Sequence, residues 1–127
     1  VVMKPYLVAQ TRGPDLAVLD ATTPTVFSQA VSADVAAQLR DMMVTVVKSG
    51  TGRRAAIPGV QVAGKTGTAQ QGNGKPPHAW FVSFAPAKNP KVAVAVIIED
   101  GDGSTEISGG RLAAPIARAV MEAVLNQ

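Results

Sequence analysis

The chain has no cysteine, which excludes thiol nucleophiles, disulfides and thiolate-bound metals. That absence does not by itself assign a compartment. Aromatic residues make up only 4% of the 127 positions, so a core must be built mainly from Val, Ala, Leu and Ile. No apolar run reaches the ~18 residues that a membrane span needs. No charged-then-apolar leader opens the chain. Charge of one sign is also scarce. The net charge is +3, and Arg53-Arg54 is the one adjacent basic pair. There is no basic stripe of the kind that tracks nucleic acid, and the pair reads as a solvated loop edge. Hydrophobic residues at 46% and charged residues at 17% describe a globular chain, not a disordered one. The length is that of one modest domain with a small core. The opening Val1-Val2-Met3-Lys4-Pro5-Tyr6-Leu7-Val8 reads like the interior of a protein, so a fragment is expected.

The pattern predicts a mixed α/β (α+β) order. Met3 to Ala9 is apolar and extended, because Pro5 disfavours a helix. Gly13-Pro14-Asp15 marks a turn before a short strand over Leu16 to Asp20. Thr22 to Gln29, broken by Pro24, reads as loop or edge. Ser32 to Lys48 carries Val35, Leu39, Met42, Met43, Val46 and Val47 at the spacing of one buried helical stripe. The Met pair reads as core filling. Ser32 can cap that helix, Asp34 suits its positive first turn, and Gly50 can supply a left-handed stop. Strands are predicted over Val60 to Ala69, Trp80 to Ala85 and Val92 to Ile98, the last two joined as a hairpin by Pro86-Ala87-Lys88-Asn89-Pro90. Val92 to Ile98 is apolar on both faces and needs cover on both. A final helix over Leu112 to Leu125, with Pro115 in its first turn, presents Leu112, Ile116, Ala119, Val120, Ala123 and Val124 as its apolar side. No internal repeat or second domain is evident.

Chemistry concentrates in Gly64-Lys65-Thr66-Gly67-Thr68. On a strand, Lys65 and Gly67 face one way and Thr66 and Thr68 the other. Such a strand offers a cation, hydroxyls and bare backbone to an anionic, carbonyl-bearing substrate. A competing reading exists, because Gly59 to Thr66 fits the phosphate-loop expression G-x-x-x-x-G-K-T. A phosphate loop lies between a buried strand and a helix, whose N-terminus holds the phosphates. Here Arg53-Arg54-Ala55-Ala56-Ile57-Pro58 precedes it, Val60-Gln61-Val62-Ala63 alternates like a strand, and Gly67-Thr68-Ala69-Gln70-Gln71-Gly72 cannot continue as a stable helix. The expression matches and its context fails, so a nucleotide binder is the remote alternative. As a bare residue, Lys65 could equally be a solvated edge lysine that discourages aggregation.

The other candidates are weaker. His78 could act as a general base, but it sits near Pro77 and Trp80 with no acidic neighbour in sequence, and reads as the opening of a strand. Trp80 either packs in the core or lines a cleft. Asp100, Asp102 and Glu106 hint at a calcium loop, but the EF-hand pattern fails at Thr105 and Arg111. A mobile polar loop fits better.

The surroundings sharpen Lys-Thr-Gly. Met42-Met43-Val44-Thr45-Val46-Val47, Gly50-Thr51-Gly52, Ala63 to Gln70 and His78-Ala79-Trp80-Phe81-Val82-Ser83-Phe84-Ala85-Pro86 follow in that order. This resembles the C-terminal part of the transpeptidase domain of class B penicillin-binding proteins, and Val1 to Val8 resembles the segment after that family's second motif. The Ala/Val-rich wording is closest to actinobacterial members. Of the motifs S-x-x-K, S-x-N and K-T-G, only the third is present. The resemblance implies three antiparallel strands of a five-stranded sheet with helices on both faces, residues 1–127 being the C-terminal segment of one domain. The nucleophilic Ser, its Lys and the remaining strands are then expected upstream. It implies no metal and no cofactor. Lys65, Thr66, Gly67 and Thr68 would bind a stem peptide ending in D-Ala-D-Ala, or a β-lactam, through its carboxylate. Lys65 would also stabilise ionised intermediates, and the Thr68 backbone N–H would serve the oxyanion hole. The implied setting is the extracytoplasmic side of the bacterial inner membrane, held by an upstream anchor. A catalytically dead interaction module, or a related carboxypeptidase or β-lactamase, are the alternatives.

Overall fold

The computed structural model describes residues 1–101 and 108–126. Asp102 and Glu106 of the expected polar loop lie outside the described residues. The chain divides into two units, Val1–Ala36 and Ala37–Gln127.

In the first unit, β1 (Val2–Met3) pairs antiparallel with β4 (Val26–Ser28), and β2 (Gln10–Arg12) with β3 (Val18–Ala21). The β2–β3 turn closes where Gly13-Pro14-Asp15 predicts it. Gly13 N–H donates to the Ala17 carbonyl at 2.9 Å, and the Asp15 carboxylate accepts from Ala17 N–H at 3.2 Å. β2 is not anticipated by the sequence pattern, and β4 falls in the stretch read as loop or edge. Of the extended Met3–Ala9 stretch only Met3 is in a strand; beyond it single bonds hold Lys4, Val8 and Ala9, such as Thr22 Oγ1 donating to the Val8 carbonyl at 2.6 Å. Helix α1 (Ala33–Ser49) begins with Ser32 Oγ accepting from Val35 N–H at 3.3 Å, the expected cap.

The second unit is built on an antiparallel sheet ordered β5 (Ala63–Ala69), β6 (His78–Ala85), β7 (Val92–Ile98). The β6–β7 hairpin has the predicted connection. Two strands differ in extent from expectation. β5 starts at Ala63 because Ile57 and Val60 close a tight turn first, with Val60 N–H donating to the Ile57 carbonyl. β6 starts two residues early, since His78 pairs with Ala69.

Register sorts the side chains onto two faces. Gly64, Ser83 and Val94 align across one face, as do Thr66, Phe81 and Val96; Lys65, Val82 and Ala95 align across the other, as do Gly67, Trp80 and Ile97. The first face is covered. Phe81 and Met121 are fully buried there among Val47, Val62, Ala113, Ala114 and Ala117. Each of the two large side chains contributes about 1.5–3 kcal/mol through removal from water. On the second face Trp80, Val82, Ala95 and Ile97 are exposed. The described residues thus cover one face of the sheet and leave the other bare, as a segment whose remaining cover is expected upstream would.

Two helix faces also depart from expectation. In α1 only Val47 is buried, while Leu39 and Met42 are 53% and 60% exposed. The Met pair does not fill this core, because only the end of the stripe meets the sheet. The final helix begins as a wide π turn (Gly109–Ala113) and continues as α2 (Ala114–Leu125), with Pro115 in its first turn. Its buried side is Ala113, Ala114, Ala117 and Met121; Ile116, Ala119, Val120, Ala123 and Val124 face out. Small Ala side chains let the helix axis approach the sheet, and closeness to Phe81 outweighs the bulkier stripe. Gly50 does not take the left-handed stop. It is glycine because a Cβ there would lie 2.9 Å from Val46 Cα.

Candidate active-site strand

β5 is a terminal strand of its sheet, bonded along one side to β6. The segment therefore presents side chains on two faces and backbone along an edge that no strand among the described residues pairs. The middle of a strand is no place for a phosphate loop, and no helix begins at Thr66, so the nucleotide reading is excluded.

Each residue of the segment is placed for a local reason. Gly64 has no room for a side chain, since a Cβ would sit 2.5 Å from the Phe81 ring and 3.2 Å from Val47. The strand thus rests directly on the core. Lys65 is exposed on the uncovered face beside Val82, and its ammonium donates to the Thr66 carbonyl at 2.7 Å. Gly67 lies against Trp80 Cβ, leaving bare backbone where a side chain would otherwise stand. Trp80 is 38% exposed beside it, on this face and outside the core that the described residues form. Thr66 points to the covered face, half-buried, and Thr68 on the same side is exposed.

Two features were not assigned by sequence reasoning. The Thr51 and Thr66 hydroxyl oxygens are 2.9 Å apart. Thr51, but not Thr66, lines a polar cavity of about 260 Å³ together with Gly50, Arg53, Arg54, Ser108, Gly110 and Arg111. The only forewarning was the glycine on each side of Thr51. The second feature is the π turn, which packs directly on backbone. A Cβ on Gly109 would fall 1.8 Å from the Trp80 carbonyl oxygen and 2.9 Å from that of Gly67. One on Gly110 would fall 2.0 Å from the Thr51 carbonyl oxygen.

His78 stands at the far end of β5, paired with Ala69, and its Nδ1 accepts from Asp100 N–H at 3.1 Å. It opens β6 and is engaged there, away from Lys65 by four residues of register. Asp100 has φ +54° and accepts from Gln71 Nε2 at 2.5 Å. Among the described residues no cluster of His, Asp or Glu is arranged to hold a metal ion, and no helix is long and apolar enough to cross a membrane.

Residues 1–122 match the penicillin-binding protein transpeptidase domain. The chain belongs to that family. It is 51% identical to peptidoglycan D,D-transpeptidase PbpA of Mycolicibacterium smegmatis, over all of this chain and 26% of that protein. PbpA of Mycobacterium tuberculosis is likewise 51% identical, over 99% of this chain and 26% of its own length. The ceftriaxone acyl-enzyme complex of M. tuberculosis penicillin-binding protein A superposes with a TM-score of 0.89 at 52% identity. That match covers 97% of this chain and 28% of the solved one. A D,D-transpeptidase domain from Eggerthella lenta gives a TM-score of 0.76 at 40% identity. This chain spans about a quarter of the length of the curated relatives it matches. The antiparallel sheet with its helices is the fold expected for the family.

Proposed function

We propose that this chain supplies the carboxylate-binding wall of a serine-type peptidoglycan D,D-transpeptidase. The observation that carries the reading is the strand Lys65-Thr66-Gly67-Thr68 on a free sheet edge, with cation, hydroxyls and unobstructed backbone within four residues. A stem peptide ending in D-Ala-D-Ala lays its chain along β5 as an added strand, and Gly67 admits the close approach. Lys65 attracts the terminal carboxylate, and the Thr66 and Thr68 hydroxyls donate to it. A β-lactam carboxylate uses the same donors. Thr66 and Thr68 direct their backbone groups to the same edge, since residues two apart in a strand do so. The Thr68 N–H is then available to an oxyanion, an interaction worth about 2.7–4 kcal/mol in the transition state.

The nucleophile comes from the part of the domain that precedes this segment and carries S-x-x-K and S-x-N. Its Ser Oγ bonds to the carbonyl carbon of the penultimate D-Ala. The C–N bond breaks, and D-Ala leaves with the serine's proton. An amine of a neighbouring stem peptide then takes the acyl group and regenerates the hydroxyl. The same upstream part covers the Trp80–Val82–Ile97 face and pairs the free edge of β7. No metal or cofactor takes part. The intact protein works on the extracytoplasmic side of the inner membrane, held by an upstream anchor.

The test is labelling of the full-length protein by a fluorescent penicillin. The unmutated protein forms a covalent adduct, and Lys65→Ala slows its formation at least tenfold. Equal labelling of the two removes Lys65 from the mechanism. No labelling of either favours a dead interaction module.

A further inference from the structure

We infer that Thr51 is a positioning residue for the carboxylate donor Thr66. The inference rests on the transpeptidase reading of β5 and adds to it a residue outside the Lys-Thr-Gly-Thr segment. Its starting point is the 2.9 Å separation of the two hydroxyl oxygens, which come from positions fifteen residues apart. A hydroxyl has a single proton to give. If Thr66 donates to a substrate carboxylate, its oxygen is left as the acceptor within this pair, and Thr51 must be the donor. The proton order is then fixed as Thr51 to Thr66 to carboxylate. In that order Thr51 restrains the Thr66 rotor and polarises its O–H, since hydrogen bonds in a chain strengthen one another.

The placement of Thr51 is itself enforced by backbone. Gly50 N–H and Gly52 N–H both donate to the Val46 carbonyl, at 3.1 and 3.0 Å, tying the loop to the end of α1. Gly52 abuts the Phe81 ring, where a Cβ would meet Cε2 at 3.1 Å. The Thr51 carbonyl packs on Gly110, where no Cβ fits. Gly110 also borders the Thr66 methyl, at 3.3 Å from its Cβ position. Loop, strand and π turn therefore meet around one hydroxyl pair. An exposed threonine that served only as a loop filler would need none of these constraints.

The test uses the full-length protein and two matched probes, a penicillin with its free carboxylate and the same penicillin as a neutral ester. Thr51→Val keeps the shape and removes the hydroxyl; Thr51→Ser keeps the hydroxyl. The expected result is that Thr51→Val slows acylation by the anionic probe about 5- to 12-fold and leaves the ester within about twofold, the upper part of the range for one neutral hydrogen bond. Thr51→Ser stays within about threefold of the unmutated protein on both probes. Adding Thr51→Val to Thr66→Val produces no further loss, because the two hydroxyls act as one unit. Equal slowing of both probes, or losses that multiply in the double variant, overturns the inference and leaves the parent reading intact. An unmutated protein that neither probe acylates overturns the parent reading, and this inference with it.

Discussion

Gly109 offers the sharpest test of how the fold sets the β5–β6 pair. A methyl group on its Cα would lie 1.8 Å from the Trp80 carbonyl oxygen and 2.9 Å from the Gly67 oxygen. Those two residues are register partners, so the group would be driven into the seam between β5 and β6. Both obstacles are backbone, and no rotamer change relieves them. Restoring ordinary van der Waals separation from the Trp80 oxygen requires about 1.6 Å of movement. Either the π turn retreats and takes Ala113 and Ala114 off the core, or the strands part at Gly67. Overpacking of this kind costs about 3 kcal/mol, and a 1 Å misplacement of a positioning element costs about 10²-fold in rate. Gly109→Ala in the full-length protein should therefore lower the denaturant midpoint and slow penicillin acylation about 100-fold. Gly59→Ala is the internal control. Gly59 has φ +75° and open space around it, so its Ala variant bears only the left-handed backbone cost of about 1–2 kcal/mol, with acylation unchanged. A Gly109→Ala protein with unaltered stability and rate would refute the claim that the π turn braces the strand pair.

Three further outcomes follow from particular contacts. Among the described residues the buried Ser83 hydroxyl on the covered face has no partner, so Ser83→Ala should raise unfolding free energy by about 1 kcal/mol in chemical denaturation; a loss of that size would mean the hydroxyl has a partner. His78→Asn keeps an acceptor near the Nδ1 position while His78→Phe removes it; the Phe variant should be less stable by about 1 kcal/mol and the Asn variant close to unchanged, and equal losses would dissociate the Asp100 N–H bond from stability. Trp80 is the sole tryptophan and is partly exposed, so acrylamide should quench it in the isolated 127-residue chain and much less in the full-length protein. Equal quenching would mean that nothing covers this face of the sheet.

The strands around the candidate site were legible because their cues are local. Val-rich alternation over 92–98, a Pro-Asn-Pro turn and the Lys-Thr-Gly wording each declare themselves within a few residues. The helical faces were not. α2 carries apolar residues on two sides, and periodicity favours the bulky set, Ile116, Val120 and Val124. Packing selected Ala113, Ala114 and Ala117 instead, because the available distance to the sheet suits small side chains. The stripe of α1 was read correctly as apolar, but apolarity names no partner, and only Val47 finds a buried place among the described residues. Gly50 followed the rule for helix ends only in residue type; crowding by Val46, and not handedness, explains it. Thr51 escaped notice because a bond between residues 51 and 66 exists only once the loop and strand have met.

The sheet ends at one margin in β5 and at the other in β7. Proteins commonly guard such margins with proline, bulges or inward-pointing charge, so that stray chains cannot zip onto them. The β7 margin is open to every such guard and to permanent closure. On the proposed reading the β5 margin is not, because whatever repels an intruding strand also repels an incoming guest laid there in extended form. On that reading a strand paired to β7 removes its margin from the problem, while charge or proline placed along β5 would trade protection from stray chains against admission of the guest.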